Sequence, residues 1–450
     1  MKLDPAGHIV WLATLDDPSH NGDTPRALAL DSDGNCYVTG STYTLDGHAD
    51  YLTVKYSPSG AQLWTARFNS TTNIIGPNDS NDEAYTLSVD AARNVYVSGN
   101  RGTLKYDRNG TPLWTNSFGG HLVSMPTNRE AVYVRAFDGH AIAKLDLRGN
   151  TLWSEQIRNI EGLTVDTEGN PYVVAKRNFN YTAGTGDFET IKFNPSGTRL
   201  WTANYDGPVR SIDSPRRLAV DSNNCVYVTG ISWRTIQRPA SGSEPTDIVT
   251  LKYDRAGKLL WTARFNGTGN GEDHPYDIAV DRDGAVYVCG VSEIDATKPS
   301  RNKEAVLVKY ATDGNELWVS HYATSPRRPT GSDCFLKLVL DPDDRISVAG
   351  FASYRDPATG DHTATHTEFL IVHYDQQTPR LMAGEVVAPG VRQGCLVSPR
   401  GSRFEIQATV DFGTWMPVDT ITNLNGLAPF FDREAGTYPR RFYRARRTAQ

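Results

Sequence analysis

The sequence predicts an all-β fold, a seven-bladed β-propeller of four-stranded antiparallel blades with a small β-sandwich-like module at the C-terminus. Two recurrent strings support this prediction. The first is an apolar segment ending in Asp, followed by a turn and Tyr-Val-Thr-Gly, and the second is Lys-Tyr-Asp-x-x-Gly-x-x-Leu-Trp. A repeat of about 40 to 50 residues is typical of one propeller blade. The apolar segment ends at Asp31, Asp90, Asp166, Asp221, Asp281 and Asp341, with a degenerate copy reaching Val134, and the tryptophans are Trp11, Trp64, Trp114, Trp153, Trp201, Trp261 and Trp318.

Each repeat supplies four short strands, here called A to D. Strand A ends in the recurrent Asp, strand B is Tyr-Val-Thr-Gly, strand C carries Lys-Tyr and strand D carries Leu-Trp. Alternating apolar residues and β-branched residues favour strands at all four places. The A–B and C–D connections contain Gly and Asn, which suit tight hairpins. Asp31-x-Asp33 resembles the start of a calcium loop, but its oxygen ligands do not continue at the required spacing, so a hairpin turn is favoured.

The ends of the repeat region predict how the ring closes. The chain opens in a strand D, and the last repeat has Met382 where a Trp is expected. The simplest closure gives blade 7 its outer strand from residues 9–15, which would remove exposed sheet edges. The alternative is a fragment of a longer array. In either arrangement the repeated Trp is interpreted as a wedge between neighbouring blades.

These strings resemble the bacterial β-propeller repeats called SBBP, and more distantly the repeats of pyrroloquinoline-quinone-type propellers. The resemblance covers residues 1–383 and is specific for the fold, with little information on activity. It implies a secreted or cell-envelope protein, although the N-terminus lacks the apolar core of a signal peptide and by itself indicates the cytoplasm. Quinone binding is disfavoured because the docking strings are one residue shorter and the vicinal cysteines are absent.

Composition and short motifs limit the classes of partner and activity that are expected. The formal net charge of −6 for 450 residues, without a cluster of cations, argues against nucleic acid. No apolar run reaches the roughly 18 residues that span a bilayer. The five cysteines form no Cys-x-x-Cys pair, so neither a disulfide framework nor a zinc knuckle is expected. No nucleophile elbow, phosphate loop or His-Glu-x-x-His string is present, which favours a protein that is neither an enzyme nor cofactor-dependent.

The loops predict which face of the propeller works. The A–B and C–D turns are short and share one face, whereas the B–C and D–A loops share the other and are long in five repeats. Repeats 2 and 3 instead turn tightly at residues 100–102 and 137–139. We call the second face the long-loop face and expect a gap in it at blades 2 and 3. Variable loops on a rigid scaffold are where binding usually occurs.

An aspartate recurs on that face, eight positions before the Asp that ends strand A. Because strand A is innermost in a propeller, these carboxylates should surround the mouth of the central channel. One interpretation is that each caps its own D–A loop by accepting backbone N–H bonds. The other is a ring that binds a cation such as Ca²⁺. The residues are Asp23, Asp82, Asp213, Asp273 and Asp333.

Other candidate site residues lie in the longest B–C loops. Trp233, with Arg234 and Arg238 nearby, could contact a sugar ring or a partner protein, or could fold back over its own loop. His362 and His366 have a spacing that presents two metal ligands only on a helix, so they are weak candidates, as are Asp273 and Asp333.

Residues 384–450 are expected to form the C-terminal module, after a linker at residues 383–391. Four alternating segments predict its strands, and Trp415 is expected in its core. It resembles a short module that trails many secreted bacterial proteins. Its terminal arginines could contact an acidic surface or protect a strand edge.

Three hypotheses on function follow. The first is a non-enzymatic binding or scaffold protein, monomeric, that meets a protein or carbohydrate ligand at the long-loop face. The second is a metal-assisted hydrolase or lyase acting on carbohydrate at the channel mouth. The third is a structural cell-surface protein.

Overall fold

The structure, a computed structural model, describes most of the chain. The described residues are 1–3, 9–15, 22–43, 48–70, 81–120, 122–124, 130–180, 184–235, 245–294, 303–322, 332–341, 344–354, 366–374, 380–388, 391–397, 402–410, 414–423, 427–437 and 442–447. Within these ranges nearly all regular structure is β-strand, with one 3-10 turn at Ala435–Thr437 and no α-helix. None of the described segments is a helix long and apolar enough to cross a membrane.

The strands of the first three repeats follow the predicted A-B-C-D order in antiparallel sheets. A short hairpin, β1 Lys2–Leu3 and β2 Ile9–Trp11, precedes them. Blade 1 is β3 Asp23–Leu30, β4 Cys36–Tyr43, β5 Ala49–Tyr56 and β6 Gln62–Phe68. Blade 2 is β7 Ala84–Val89, β8 Val95–Gly99, β9 Gly102–Tyr106 and β10 Pro112–Asn116. Blade 3 is β11 Leu122–Ser124, β12 Ala131–Arg135, β13 Ala141–Asp146 and β14 Thr151–Gln156.

The later repeats continue the pattern, the last with three strands. Blade 4 is β15 Ile160–Val165, β16 Pro171–Asn180, β17 Thr185–Phe193 and β18 Arg199–Tyr205. Blade 5 is β19 Asp213–Val220, β20 Val226–Trp233, β21 Thr246–Tyr253 and β22 Leu259–Phe265. Blade 6 is β23 Asp273–Val280, β24 Val286–Glu293, β25 Lys303–Tyr310 and β26 Glu316–Tyr322. Blade 7 comprises β27 Ser332–Leu340, β28 Ile346–Tyr354 and β29 His366–Tyr374.

Successive blades contact each other mainly through strand A. From β3 to β27, the strand A of each blade packs against the strand A of the next. Strand A therefore lies nearest the centre of the array, and the D–A loops deliver it there from the long-loop face. An all-β propeller is the fold that this order of strands builds.

The repeated Asp, Tyr and Lys form one hydrogen-bonded unit in each of several blades. Asp31 accepts hydrogen bonds from the backbone N–H groups of Asp33 and Asn35 and from the Tyr37 hydroxyl, the last at 2.9 Å. Lys55 Nζ lies 3.8 Å from Asp31 Oδ2 and 4.8 Å from the centre of the Tyr37 ring. The Asp thus fixes the A–B turn and holds a buried cation next to an aromatic face. The same Asp–Tyr bond occurs at Asp90–Tyr96, Asp166–Tyr172, Asp221–Tyr227 and Asp281–Tyr287.

The repeated Trp of strand D packs onto the next blade. Trp201 Nε1 donates a hydrogen bond of 3.0 Å to the carbonyl of Arg255, in the C–D turn of blade 5. Its ring lies between Tyr172 of its own blade and Tyr253 of the next, with centroid distances of 6.0 and 6.3 Å. It also covers Gly257, where φ is +84° and a Cβ would lie 2.7 Å from the indole. The wedge predicted for this Trp is therefore what the structure has.

The strand pairing predicted to close the ring, between residues 9–15 and the last blade, is absent from the described residues. Trp11 packs on Tyr56 of blade 1, as expected for a preceding strand D. However, Ile9–Trp11 pairs with Lys2–Leu3, and no strand in the described residues pairs with the free edge of β29. The short hairpin gives these residues a partner close in sequence, at a small loss of chain entropy. Closure of the array into seven blades stays a prediction.

The C-terminal region forms two three-stranded sheets. They contain β30 Arg380–Ala388, β31 Val391–Val397, β32 Ser402–Thr409, β33 Met416–Asn423, β34 Leu427–Asp432 and β35 Phe442–Arg447, in the orders β30-β31-β34 and β33-β32-β35. The expected linker is largely strand β30, so the boundary expected at residue 383 falls inside a strand. The buried core consists of Phe404, Ile406 and Phe430. Trp415 is only half-buried and stacks under Arg444 instead, 4.1 Å from the guanidinium carbon.

Candidate functional site

The long-loop face is built partly from strands that run further than the repeat motif. In blade 5, strand B continues past the motif glycine to Trp233, which pairs with Thr246. Blade 4 likewise extends its B–C hairpin to a pair between Asn180 and Thr185. Blades 2 and 3 make the tight turns that the sequence predicts, with Gly99 directly opposite Gly102 in blade 2. The loops of the long-loop face are therefore shortest at blades 2 and 3, and we call this part of the face its low edge.

Where the D–A loop is described, the recurrent aspartates of blades 2, 5 and 6 accept hydrogen bonds from its backbone. Asp82 accepts from the Ser70 backbone N–H and forms an ion pair with Arg101 at 2.8 Å. Asp273 Oδ2 accepts from the Gly267 N–H at 2.7 Å, and Asp213 accepts from the equivalent Gly207 N–H. These bonds supply partners to loop donors that would otherwise be buried and unsatisfied.

The aspartates are turned away from solvent. Asp82, Asp213, Asp273 and Asp333 are each at most 4% exposed, and Asp23 is half-buried. Burial raises the pKa of both the Asp213 and Asp273 carboxyls to about 6. Within the described ranges, no group of three or more His, Cys, Asp or Glu side chains could hold a metal ion.

The candidate residues of the long B–C loops are buried, engaged in contacts between blades, at the start of a strand, or outside the described residues. Trp233 is 3% exposed, so its indole faces the protein rather than a ligand at the surface. Arg234 Nε lies 3.1 Å from Asp247 Oδ1, and the guanidinium also donates to the carbonyls of Asn270 and Gly271 in the next D–A loop. Arg234 therefore joins blade 5 to blade 6. Arg238 and His362 lie outside the described residues, and His366 is the first residue of β29.

A feature that the sequence interpretation missed is a β-bulge in strand A. In blade 1, Pro25 lies opposite Gly40 and Ala27 lies opposite Thr39, which leaves Arg26 as the extra residue. A bulge re-aims the side chain at the extra position. Because successive blades contact each other mainly through strand A, the extra residues lie on the inner side of the array, close to the long-loop face. They are Arg26, Tyr85, Glu161, Arg216, Tyr276 and Leu336 in blades 1, 2, 4, 5, 6 and 7.

The sequence does carry a signal for these bulges, the Gly that ends Tyr-Val-Thr-Gly. At Gly40 a Cβ would lie 2.0 Å from the Thr24 carbonyl oxygen, and at Gly290 it would lie 2.1 Å from that of His274. The bulged strand approaches its neighbour too closely for any side chain there. The start of the bulge is thus marked by Gly in the partner strand, although blade 4 has Ala175 at this place.

At the low edge of the face, aromatic bulge and turn residues meet. The Tyr85 ring of blade 2 stacks on the Phe137 ring of blade 3, with an interplanar angle of 7° and a centroid distance of 5.8 Å. The Arg26 guanidinium of blade 1 lies 5.9 Å from the centre of the Tyr85 ring and 3.8 Å from Glu83. Phe137 is 46% exposed, although it is a large apolar side chain in a turn. An exposed aromatic surface beside charged groups is typical of a binding site.

Basic residues continue this surface towards blades 4 and 5. Glu161, the bulge residue of blade 4, forms an ion pair of 2.7 Å with Lys176. Arg217 of blade 5 reaches back and donates to the Glu161 carbonyl at 3.4 Å. Burial lowers the pKa of the Arg135 guanidinium, Arg217 lowers it further, and the acids Glu161 and Asp138 act in the opposite direction. We call Arg26, Tyr85, Arg135, Phe137, Glu161 and Arg217 the gap cluster.

Comparison with known proteins gives partial matches. The family model for outer membrane protein assembly factor BamB matches residues 50–246. An uncharacterized WD repeat-containing protein, L264 of Acanthamoeba polyphaga mimivirus, is 23% identical over 292 residues, covering 57% of this chain and 19% of that protein. Regulatory protein FlaEY of Caulobacter vibrioides is 31% identical over 144 residues, covering 29% of this chain and 15% of that protein. The chain spans less than a fifth of either relative.

The solved structures that match this chain are distant from it in sequence. The extracellular domain of BT4673 from B. thetaiotaomicron has 12% identity and a TM-score of 0.44, covering 91% of this chain and 53% of that one. Hsv2 of Kluyveromyces lactis has 10% identity and a TM-score of 0.39, covering 78% and 98%. The strand order and the repeat-family match agree on the architecture. The chain is a β-propeller repeat protein.

Proposed function

We propose that this chain is a non-enzymatic binding protein that holds a carbohydrate at the long-loop face, at the low edge where blades 2 and 3 turn tightly. The observation that carries the proposal is the stack of Tyr85 and Phe137, whose ring surface lies beside the charged side chains of Arg26 and Glu83. Sugar rings present an apolar face that packs on aromatic rings and hydroxyls that bond to charged groups at the rim.

The architecture supports binding in two ways. Near the short-turn face, the Asp–Tyr–Lys units fix the turns within each blade and the Trp wedges hold neighbouring blades together. The bulge residues near the long-loop face differ in chemistry from blade to blade, as expected for a surface that contacts a ligand of uneven shape. A protein segment is the alternative ligand for the same surface.

The proposal extends to the finer features that the repeats suggest. We infer a closed ring of seven blades of the SBBP type, acting as a monomer outside the cytoplasm. The support is the sevenfold recurrence of both sequence strings and the resemblance of those strings to secreted repeat proteins.

A glycan-binding panel tests the proposal. The protein and its Phe137→Ala variant are applied to immobilised neutral and acidic oligosaccharides, and binding is measured. The oligosaccharides are then analysed for shortened products. We expect at least one glycan to bind, and Phe137→Ala to weaken it about tenfold, since stacked aromatic contacts contribute about 0.5–1.5 kcal/mol beyond area burial.

A matched control is available in Phe431, which is 40% exposed in the C-terminal module. Phe431→Ala should leave glycan binding unchanged. Equal binding by Phe137→Ala and the unchanged protein would refute the proposed site. Release of shortened saccharide would instead support a metal-assisted hydrolase or lyase, and binding of proteins but no glycan would support the protein alternative.

A further inference from the structure

We propose that the ligand of the gap cluster is an acidic saccharide, a sugar that carries a carboxylate, and that Arg135 receives this carboxylate. The inference rests on the proposed function and names the ligand class of the same site. It depends on the state of the Arg135 guanidinium, on the charge around it, and on the neighbouring aromatic surface.

Arg135 has unused hydrogen-bonding capacity. It ends strand B of blade 3, next to the tight turn, and its side chain is half-buried. Its Nε is buried, yet within the described residues it has no hydrogen-bond partner. A desolvated cation is costly, and an oxyanion that approaches the accessible part of this half-buried guanidinium would compensate its charge.

The charges around Arg135 leave a positive surplus. Two acids act on the Arg135 guanidinium, Glu161 and more weakly Asp138, and Lys176 already compensates Glu161 at 2.7 Å. Arg217 adds another guanidinium beside the pair, fixed by hydrogen bonds of 3.4 and 2.9 Å to the carbonyls of Glu161 and Arg216. Arginine in such a place favours carboxylate, because the planar guanidinium can donate two parallel bonds.

The same surroundings argue against a polyanion. The Glu83 carboxylate accepts a hydrogen bond from the Tyr85 hydroxyl of the stack, the Glu161 carboxylate acts on Arg135, and each of the two side chains is 24% exposed. They would repel a chain of phosphates, whereas they can accept hydrogen bonds from sugar hydroxyls. The net charge of −6 gives no long-range attraction for nucleic acid. A hydroxyl-rich ring with one negative charge fits this mixture best.

The position of the aromatic rings relative to Arg135 suits one small ring. Phe137 follows Arg135 by two residues, so the exposed ring and the guanidinium belong to the same strand end and turn. A sugar packed on Phe137 would bring an exocyclic carboxylate within reach of the Arg135 side chain, with Arg26 and Glu83 available to its hydroxyls.

The test compares trigalacturonate with its fully methyl-esterified form, which has the same sugars without the charges. Binding to the full chain is followed by isothermal titration at low and high salt. We expect trigalacturonate to bind about tenfold or more tightly than the ester, and Arg135→Gln to remove this preference. Arg135→Lys should keep part of it, because the charge remains without the paired donors.

Arg210→Gln is the matched control. Arg210 lies in a D–A loop of the long-loop face, is 87% exposed, and its replacement changes the net charge by the same amount. It should bind trigalacturonate like the unchanged protein. If Arg135→Gln loses its thermal unfolding transition, Arg135→Lys alone decides, and an unchanged preference for the acid in that variant overturns the inference.

The failure of this inference can be told from that of the proposed function. Equal binding of acid and ester, weakened by Phe137→Ala but not by Arg135→Gln, would overturn the carboxylate assignment and leave the carbohydrate site in place. Binding that neither Phe137→Ala nor Arg135→Gln alters would overturn both, as would the absence of any saccharide binding.

Discussion

Replacing Trp201 by Ala probes the contact between blades 4 and 5. The indole fills the space between Tyr172 and Tyr253, covers Gly257 and donates a hydrogen bond of 3.0 Å to the Arg255 carbonyl. All of these interactions except that with Tyr172 are made with the next blade. The variant should therefore loosen the joint between two blades while leaving each hairpin intact.

The magnitude follows from the interactions that the indole makes. Full burial of a Trp makes its replacement by Ala cost about 3–5 kcal/mol. Trp201 is half-buried, which places the area and cavity contribution below this range, at about 1 kcal/mol. The hydrogen bond contributes about 1 kcal/mol and the two aromatic pairs about 1 kcal/mol more. We expect the free energy of unfolding to fall by about 3 kcal/mol.

Urea denaturation followed by tryptophan fluorescence and circular dichroism measures this decrease. In a repeat array the interface terms between neighbours add to the stability of each unit, so a weakened joint can also split the transition. Leu200→Ala is the matched control, since Leu200 precedes Trp201 in the same strand and is 52% exposed. It should cost less than about 0.5 kcal/mol. Similar urea midpoints for Trp201→Ala and Leu200→Ala would refute the role of Trp201 as a wedge between blades.

Three further changes probe the turns, the aspartates and the ends of the array, and one tests for a cation. Gly257→Ala should cost about 1–3 kcal/mol in urea denaturation, because φ is +84° and the new Cβ would press on Trp201. Burial raises the pKa of the Asp273 carboxyl to about 6, so the folded chain binds this proton more tightly than the unfolded chain. Stability should fall as pH rises from about 4 through 6, by roughly 3 kcal/mol at most, and Asp273→Asn should flatten this part of a pH–Tm profile. EDTA followed by excess Ca²⁺ should leave Tm unchanged if the aspartates only cap loops, and a rise with Ca²⁺ would contradict that role. Leu28→Asp should cost about 2 kcal/mol or more if the ring closes over this side chain, whereas under about 0.5 kcal/mol would indicate an open array.

The propeller could be predicted from the sequence because the determining features are local and repeated. The Asp that ends strand A, the Gly of the turns and the Trp of strand D each satisfy a need within one or two blades, so they recur at a fixed spacing. Recurrence makes a weak strand pattern in one repeat reliable across the whole array. The tight turns of blades 2 and 3 were equally visible, since they lie directly between two motif strings.

The candidate site was harder to predict because it depends on register and on pairing beyond the motifs. The extra residue of each bulge, such as Tyr85, is defined only by its partner strand, and no single strand reveals it. Trp233 was expected in a loop, but continued pairing with Thr246 extends strand B and buries the indole. The sequence pattern indicated an exposed loop residue, but the side chain is buried in the fold because strand pairing overrides local propensity.

In each repeat, the residues near the short-turn face stabilise the fold, and the residues near the long-loop face vary. Near the short-turn face, Asp281 holds its turn and the Tyr287 hydroxyl in the same way as its counterparts, so a substitution there would remove both of these contacts. Near the long-loop face, the bulge keeps the backbone fixed through the opposite Gly while leaving the side chain of the extra residue unconstrained by core packing. This is why Arg26 and Leu336 can occupy the same place in the fold. A surface whose backbone is fixed and whose side chains are free to differ is suited to recognise an asymmetric ligand, and it is where we expect the specificity of this propeller to reside.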